Sequence, residues 1–265
     1  VRAPLSVVLI VKNEQDRLPD ALESVAFAEE IVVGDTGSTD ETAGVARRGG
    51  ARVESIGWEG FVASRNRVLA EARHEWILVL DADEQVSPAL HDEILTALEK
   101  NDPGIAGYQM PRLSYFLGRP VHHGTWYPDY KLRLGRKSRG FRAEGGRVHE
   151  VMVVDGATER LATPLIHHPY RDLSNALQKT STYARLGAQD RFDRGARGSV
   201  TGLFVRPVVE FFRSLVLRAG FLDGVVGLYV AFFHASSYFL RAAFLLEIQR
   251  RNLVEQKKRQ KEIPT

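Results

Sequence analysis

The sequence predicts an α/β protein: a mostly parallel sheet followed by a helical C-terminal region. Over residues 1–100, short β-branched runs alternate with helical patterns, as repeated strand and helix units do. From Asp172 onward only helical spacing remains. A chain of 265 residues with 44% hydrophobic content can bury a full core, in one large domain or in one domain with an appendage.

The first strands are expected at 5–11, 31–34, 51–55 and 76–80, with helices between them. Ser38, followed three residues later by Glu41, has the form of a capping box and predicts a helix that stops at Gly49. Ser87 before Pro88 predicts another helix start, and Leu90, Ile94, Leu95 and Leu98 then share one face of a helix ending near Lys100. Between Gly107 and His168 the pattern is irregular, with strands expected at 108–112, 131–134 and 148–154 and a turn at Asp155-Gly156. Such a stretch supplies loops and extra strands that shape a site. Helices are then expected at 174–194, 203–218 and 224–247. In the second of these Phe204, Val208, Phe211 and Leu215 form an apolar stripe, with Arg206, Glu210 and Arg213 off it. Residues 224–240 are 17 positions without Asp, Glu, Lys or Arg, slightly short of the roughly 20 that span a bilayer, so an interfacial or buried helix pair is expected rather than a span. The expected divisions are 1–170, with halves 1–100 and 101–170, then a helical region 171–248 and a basic tail 249–265.

The formal charge of +3 is unevenly distributed. In the tail Arg250, Arg251, Lys257, Lys258, Arg259 and Lys261 face only Glu255 and Glu262, a net +4 that leaves the rest of the chain at −1. A body without net positive charge is a poor nucleic-acid binder, so the tail points to solvation or to anionic lipid headgroups. There are no cysteines, which excludes disulfide frameworks, thiolate zinc sites and cysteine nucleophiles. The first apolar run is too short for a secretory signal and runs at once into Lys12, Asn13 and Glu14, so a cytoplasmic chain is expected.

The sharpest chemical feature is Asp81-Ala82-Asp83 after the apolar run 76–80. Ligands of open α/β sheets gather at the carboxyl ends of strands, and two carboxylates held there invite a hard cation such as Mg²⁺ or Mn²⁺ that bridges to substrate phosphates. Taken alone the triplet also fits an ordinary strand-end turn. Val11-Lys12-Asn13-Glu14 and Asp35-Thr36-Gly37-Ser38-Thr39-Asp40 end the two preceding strands at the same edge, where acidic and amide groups can bind a base and ribose. Neither Gly-x-Gly-x-x-Gly nor a phosphate-binding Gly-Lys-Ser/Thr loop is present, which removes the usual support for dinucleotide oxidoreductases and ATPases.

Together with Ser64-Arg65-Asn66 and Leu80-Asp81-Ala82-Asp83-Glu84, these motifs resemble the family 2 glycosyltransferases, inverting enzymes of the Rossmann-like GT-A fold with a mixed, mostly parallel sheet. Trp126-Tyr127-Pro128-Asp129-Tyr130-Lys131-Leu132-Arg133, Val148-His149-Glu150 and Gly220-Phe221-Leu222-Asp223-Gly224 extend the similarity toward the lipopolysaccharide core β-1,4-glucosyltransferase group. The resemblance implies a nucleotide-sugar site in 1–100 and an acceptor half in 101–170. It implies that Glu14 and Asp35 hold the nucleotide, with Val11, Asn13, Ser38 and Ala82 beside them. Arg65 and Asn66 would support the donor, Asp81 would touch ribose and metal, and Asp83 would coordinate the metal. The implied reaction moves a hexose, glucose from UDP-glucose, onto a cell-envelope glycan or lipid-linked acceptor such as lipopolysaccharide core, on the cytoplasmic face of a bacterial membrane.

An inverting transfer needs a base on the acceptor side. Glu150 is the first candidate and Asp129 its rival, each with an alternative as an exposed or salt-bridged acid. His149 is a candidate for the diphosphate or the metal shell, against a structural hydrogen-bonding role. Trp126, Tyr127 and Tyr130 are candidates to stack on sugar rings, against a place in the core. Two further readings stay open. A nucleotidyltransferase would release pyrophosphate instead of a nucleoside diphosphate, and a noncatalytic glycan-binding or membrane-adaptor protein would turn over no donor. The C-terminal helices are expected to bind an anionic leaflet, with packing on the catalytic domain or a homodimer interface as the alternative.

Overall fold

The computed structural model describes residues 2–145 and 150–261. In chain order the elements are β1 (Leu5–Val11), α1 (Leu18–Ser24), β2 (Glu30–Asp35), α2 (Thr42–Arg48), β3 (Arg52–Ser55), α3 (Phe61–Glu71), β4 (Trp76–Val79), β5 (Glu84–Gln85), α4 (Pro88–Lys100), β6 (Ile105–Phe116), β7 (Arg119–Pro120), β8 (Tyr130–Arg136), β9 (Arg142–Gly145), β10 (Glu150–Val153), β11 (Ala157–Arg160), β12 (Leu165–His167), α5 (Leu173–Asp193), α6 (Val200–Phe212) and α7 (Val225–Lys261). They group into two compact units, Val1–Tyr115 with Pro128–Pro169, and Phe116–Tyr127 with Tyr170–Thr265.

The first unit is built on a mixed sheet of order β3-β2-β1-β4-β8-β6-β12-β5. Strands β1 to β4 pair in parallel, and β8 runs antiparallel to both β4 and β6. Strict alternation along β1 explains why it is central: Leu5, Val7, Leu9 and Val11 pack with α1 and α4, while Val8 packs on the other face with Val32, Val68 and Phe141. The register pairs Val11 with Asp35 and Val8 with Val79. The carboxyl ends of β1, β2 and β4 therefore open on one edge.

Two helix starts turn out differently. Ser87 caps α4 by accepting from the backbone N–H of Leu90, as the Ser-Pro pattern requires. The capping box expected at Ser38 does not form: α2 begins at Thr42 without a side-chain cap, although Gly49 does end it. Ser38 instead donates its N–H and hydroxyl to Asp35, a nearer partner that wins the competition for its side chain. The expected strand 148–154 is β10 over Glu150–Val153, and Val148 and His149 lie outside the described residues, as do residues 262–265 of the tail.

In the second unit Val226, Val230 and Phe233 of α7 meet Phe116, Val121 and Ala176, with Trp126 and Tyr170 against them. Trp126 packs edge-on to Phe116 at 5.8 Å, so it belongs to this small core. Asp223 accepts from both the backbone N–H and the Nδ1 side of His123, each at 2.8 Å, fastening the segment around His123 to the turn between α6 and α7. The helix expected over 203–218 is α6 followed by a π-helical turn, Arg213–Leu217, and α7 continues without a break from the helical region through Lys261. The stripe read from the sequence does not face inward as a whole: Phe204 and Val208 are exposed, and Glu210 is buried.

Gly34 of β2 lets α3 approach the sheet, because a Cβ there would lie 2.2 Å from Val68 Cγ2. Gly34→Ala is expected to cost about 1–3 kcal/mol by overpacking. Adding Val68→Ala should recover part of that loss, since it removes the methyl that would clash. Urea unfolding of the two single variants and the double variant measures the coupling.

Candidate active site

The edge formed by β1, β2 and β4 carries the first group of polar residues. Asn13 adopts a left-handed conformation with φ of 55°, which asparagine tolerates better than most residues. Its Oδ1 accepts from the Thr39 N–H at 2.8 Å, and its own N–H donates to Ser38 Oγ at 3.0 Å. The Val11 carbonyl accepts from both the N–H and the hydroxyl of Thr36, each at 3.0 Å. These bonds lock the ends of β1 and β2 into one rigid wall around Asp35. Glu14 forms a two-pronged pair with Arg17 at 2.7 and 2.8 Å. Arg17 also donates to the His168 carbonyl at 3.3 Å and stands 3.6 Å from Asp83.

After β4 the chain enters a network of alternating charges. Asp81 accepts at 2.7 Å from Arg65 on α3 and at 2.6 Å from Arg133 on β8. Arg65 is almost fully buried and spends its Nε on Glu150 at 2.7 Å. Arg133 also binds the fully buried Glu84, whose other oxygen accepts from the Asp81 N–H. Arg112 approaches Glu84 at 3.5 Å and pairs with Asp129 at 2.8 Å, and Lys131 holds the second Asp129 oxygen at 3.0 Å. Burial by itself would raise the Asp81 carboxyl, yet the flanking guanidiniums of Arg133 and Arg65 override it and hold it well below the usual carboxylate range. Burial likewise works to lower the arginines, and their carboxylate partners raise both above the ordinary guanidinium value.

The structure thus brings Asp81, Arg65 and Glu150 into direct contact, and Asp129 into the same network through Arg112, Glu84 and Arg133. Asn66 is placed differently from a donor contact: its amide exchanges two hydrogen bonds with the backbone of Ala143, at 2.8 and 3.0 Å, and so pins β9 to α3. Ala82 is buried and contributes no polar side chain. Tyr130 is half-exposed with the Arg160 guanidinium 4.3 Å over its ring, and Tyr127 lies beside His122. Sequence reasoning missed Arg17, Glu84, Arg112, Arg133 and His167. Glu84 and Arg133 stood within the quoted motifs, but nothing in their spacing told them apart from ordinary strand positions.

Around Asp83 the contacts are looser. Its Oδ1 faces His167 Nε2 at 3.8 Å, and His167 Nδ1 sits 2.9 Å from Ser114 Oγ. Among the described residues no group of three or more His, Asp or Glu side chains forms a ready metal cage.

Asp81→Asn leaves two buried guanidiniums without their shared counter-charge and is expected to destabilise the fold by about 3–5 kcal/mol. Because the folded-state value of Asp81 is depressed, its contribution is complete above the unfolded value near 3.9 and is lost as pH falls below it. The stability gap between wild type and Asp81→Asn should therefore be constant near neutral pH and narrow in acid, as chemical denaturation at a series of pH values would measure.

A mannosyltransferase from Pyrobaculum calidifontis, solved with GDP-Man and Mn2+, superposes with a TM-score of 0.51 at 14% identity, covering 96% of this chain and 88% of that one. Glucosyl-3-phosphoglycerate synthase from Mycobacterium tuberculosis, solved with phosphoglyceric acid, gives 0.50 at 18% identity over 74% of this chain and 82% of that one. The fold is accordingly GT-A. In sequence, the chain is 28% identical over 255 residues to the lipopolysaccharide core biosynthesis glycosyltransferase LpsC of Rhizobium meliloti (strain 1021), covering 91% of this chain and 94% of the relative. An uncharacterized glycosyltransferase of Rickettsia bellii (strain RML369-C) is also 28% identical, over 92% of this chain and 86% of its own length. The family model described as glycosyl transferase family 2 matches residues 6–157, more than half of the chain and all the charged network described above, and the chain belongs to that family.

Proposed function

We propose that the chain catalyses an inverting transfer of a hexose, glucose from UDP-glucose, to a hydroxyl of a cell-envelope glycan such as lipopolysaccharide core, at the cytoplasmic face of a bacterial membrane. The observation that carries this reading is the convergence of Asn13, Asp35, Asp81 and Asp83 at the carboxyl edge of three parallel strands. The likeness to LpsC along nearly the whole chain supports the acceptor class.

Asp35, Asn13, Ser38 and Glu14 line the part of this edge suited to a base and ribose, with the Val11 and Ala82 backbones beside them. A divalent cation fits beyond them. His167 can donate from Nδ1 to Ser114 and turn its Nε2 lone pair toward the Asp83 carboxylate 3.8 Å away, the orientation that metal-binding histidines take from a second hydrogen bond. One carboxylate and one imidazole leave positions for diphosphate oxygens, which suits Mg²⁺ or Mn²⁺ better than a closed cage. A bound ion would supply the positive charge that a departing diphosphate needs. Asp83 and His167 would hold it, while Asp81 keeps Arg65 and Arg133 in place.

In the transfer, an acceptor oxygen forms a bond to the anomeric carbon as the bond from that carbon to the diphosphate breaks. The acceptor proton passes to a carboxylate and UDP leaves. Glu150 takes the role of base in this reading, because a single guanidinium separates it from Asp81, whereas both Arg112 and Glu84 intervene for Asp129. The pairing with Arg65 orients Glu150.

Isothermal titration of UDP, GDP and CMP with Mn²⁺ and with chelator tests the donor assignment. UDP should bind in the presence of metal only, and Asp83→Asn should abolish that metal-dependent binding; silence of the wild type for all three nucleotides would overturn the assignment. Glu150→Gln should lower kcat by about 10²–10⁴-fold while UDP affinity holds. Pyrophosphate in place of UDP among the products would overturn the reaction class.

A further inference from the structure

The helical unit carries a surface that the sugar-transfer chemistry does not use. On α6, Val200, Phe204, Val205, Val208, Val209 and Phe212 are all exposed, and Val216 and Leu217 extend the same exposure through the π-helical turn, Leu217 reaching 81%. At about 100° per residue, the α6 side chains cover roughly half of the helix circumference. The 3-10 turn Gly220–Asp223 adds Phe221 and Leu222, and the start of α7 adds Val225, Leu228 and Phe232. The residues of α7 between them, Val226, Val230 and Phe233, already fill the core of this unit. The start of α7 is therefore apolar on both sides and buries only one, which water does not favour.

Charge identifies what covers this surface. Between Val200 and Leu240 the exposed charged side chains are all cations: Arg206, Arg213 and Arg218. The two acids of that stretch point inward, Glu210 toward Arg213 and His234, and Asp223 onto His123. Arg206 and Arg213, seven residues apart, run along one border of the exposed apolar arc of α6, where long cationic side chains can reach headgroups while hydrocarbon enters below them. A two-fold dimer through the same patch would set these arginines against their own copies without an exposed acid from the stretch to receive them. By length and composition α7 is apolar enough to cross a bilayer, with a mean hydropathy of 1.2 over Val225–Gln256, but it packs along both α5 and α6, which sets it in this helical unit and not alone in lipid.

We infer that the exposed face formed by α6, the two turns after it and the first turns of α7 docks into the interface of an anionic phospholipid leaflet, the hydrocarbon side chains entering it and Arg206, Arg213 and Arg218 meeting lipid phosphates. The attachment lies in this face and not in the basic tail, and it does not depend on which nucleotide sugar the other unit binds.

Flotation of the full chain with phosphatidylglycerol/phosphatidylethanolamine vesicles, against phosphatidylcholine vesicles, tests the inference. The wild type should float with the anionic vesicles. Replacing Phe204, Leu217 and Phe221 together by Glu should weaken partitioning by about tenfold or more per side chain, and replacing Arg206, Arg213 and Arg218 by Gln should cost about fivefold per arginine. The positions are exposed, and an unchanged thermal transition by circular dichroism identifies variants that remain folded. Replacing Lys257, Lys258, Arg259 and Lys261 by Gln should leave flotation in place. Failure of the wild type to float, undiminished flotation of the folded Glu variant, or loss of flotation in the tail variant would each overturn the inference. So would a dimer in sedimentation velocity that the Glu variant splits while neither protein floats, which would make the face a contact between copies.

Discussion

The carboxylate of Asp81 between two buried guanidiniums is the constraint on which the catalytic unit turns. Arg65 comes from α3, Arg133 from β8, Glu84 from β5 and Glu150 from β10. Removing these charges from water costs several kcal/mol per ion, which the pairs offset only if every member is present and well oriented. The network therefore does little for net stability compared with a packed apolar core of equal volume. What it does is fix the mutual positions of strands that the sheet alone would leave free to adjust. Asp81 at the end of β4 and Glu150 at the start of β10 are held at two ends of one planar guanidinium, a rigid two-pronged connector.

The parallel half of the sheet was legible because its cause is local. Val7–Val11 of β1 and Trp76–Val79 are continuous apolar runs, and only a strand buried on both faces needs one. The acidic strand ends were legible for the same reason, since they interrupt those runs. The charge network was not. Arg65 and Glu150 lie 85 positions apart, and each alone reads as an ordinary charged residue; only the tertiary fold states that they share a buried site. Asn66 shows the converse, a motif residue whose amide matches the backbone of Ala143 so well that its described role is to hold a strand.

Ser38 illustrates why a correct local rule can give a wrong element boundary. The Ser-x-x-Glu pattern supplies a helix cap only if the serine has no better offer. Here Asp35 ends a parallel strand with its carboxylate turned to the following N–H groups, and Gly37, at φ of 93°, bends the chain so that Ser38 reaches it. The start of the helix moves on to Thr42, which spends its hydroxyl on Asp40 and on the N–H of Glu14. The loop between β2 and α2 becomes part of the binding edge instead of part of a helix.

The two units break opposite rules of soluble proteins. The first buries charges that hydrocarbon could replace, and the second exposes hydrocarbon that charges could replace. Selection for stability alone removes both faults, because each has an inexpensive remedy: apolar side chains at Arg65 and Arg133, polar ones at Phe204 and Leu217. Departures of this kind persist where a ligand supplies the missing surroundings. For the buried charges those surroundings would be the polar donor that we propose at the strand edge. For α6, whose stripe could be read from the sequence but not the side that it faces, the inward side is taken by Glu210, buried beside His234 and reached from the surface by the exposed Arg213. A helix with apolar side chains on both faces can turn a carboxylate inward only if a second apolar medium receives the face left outside.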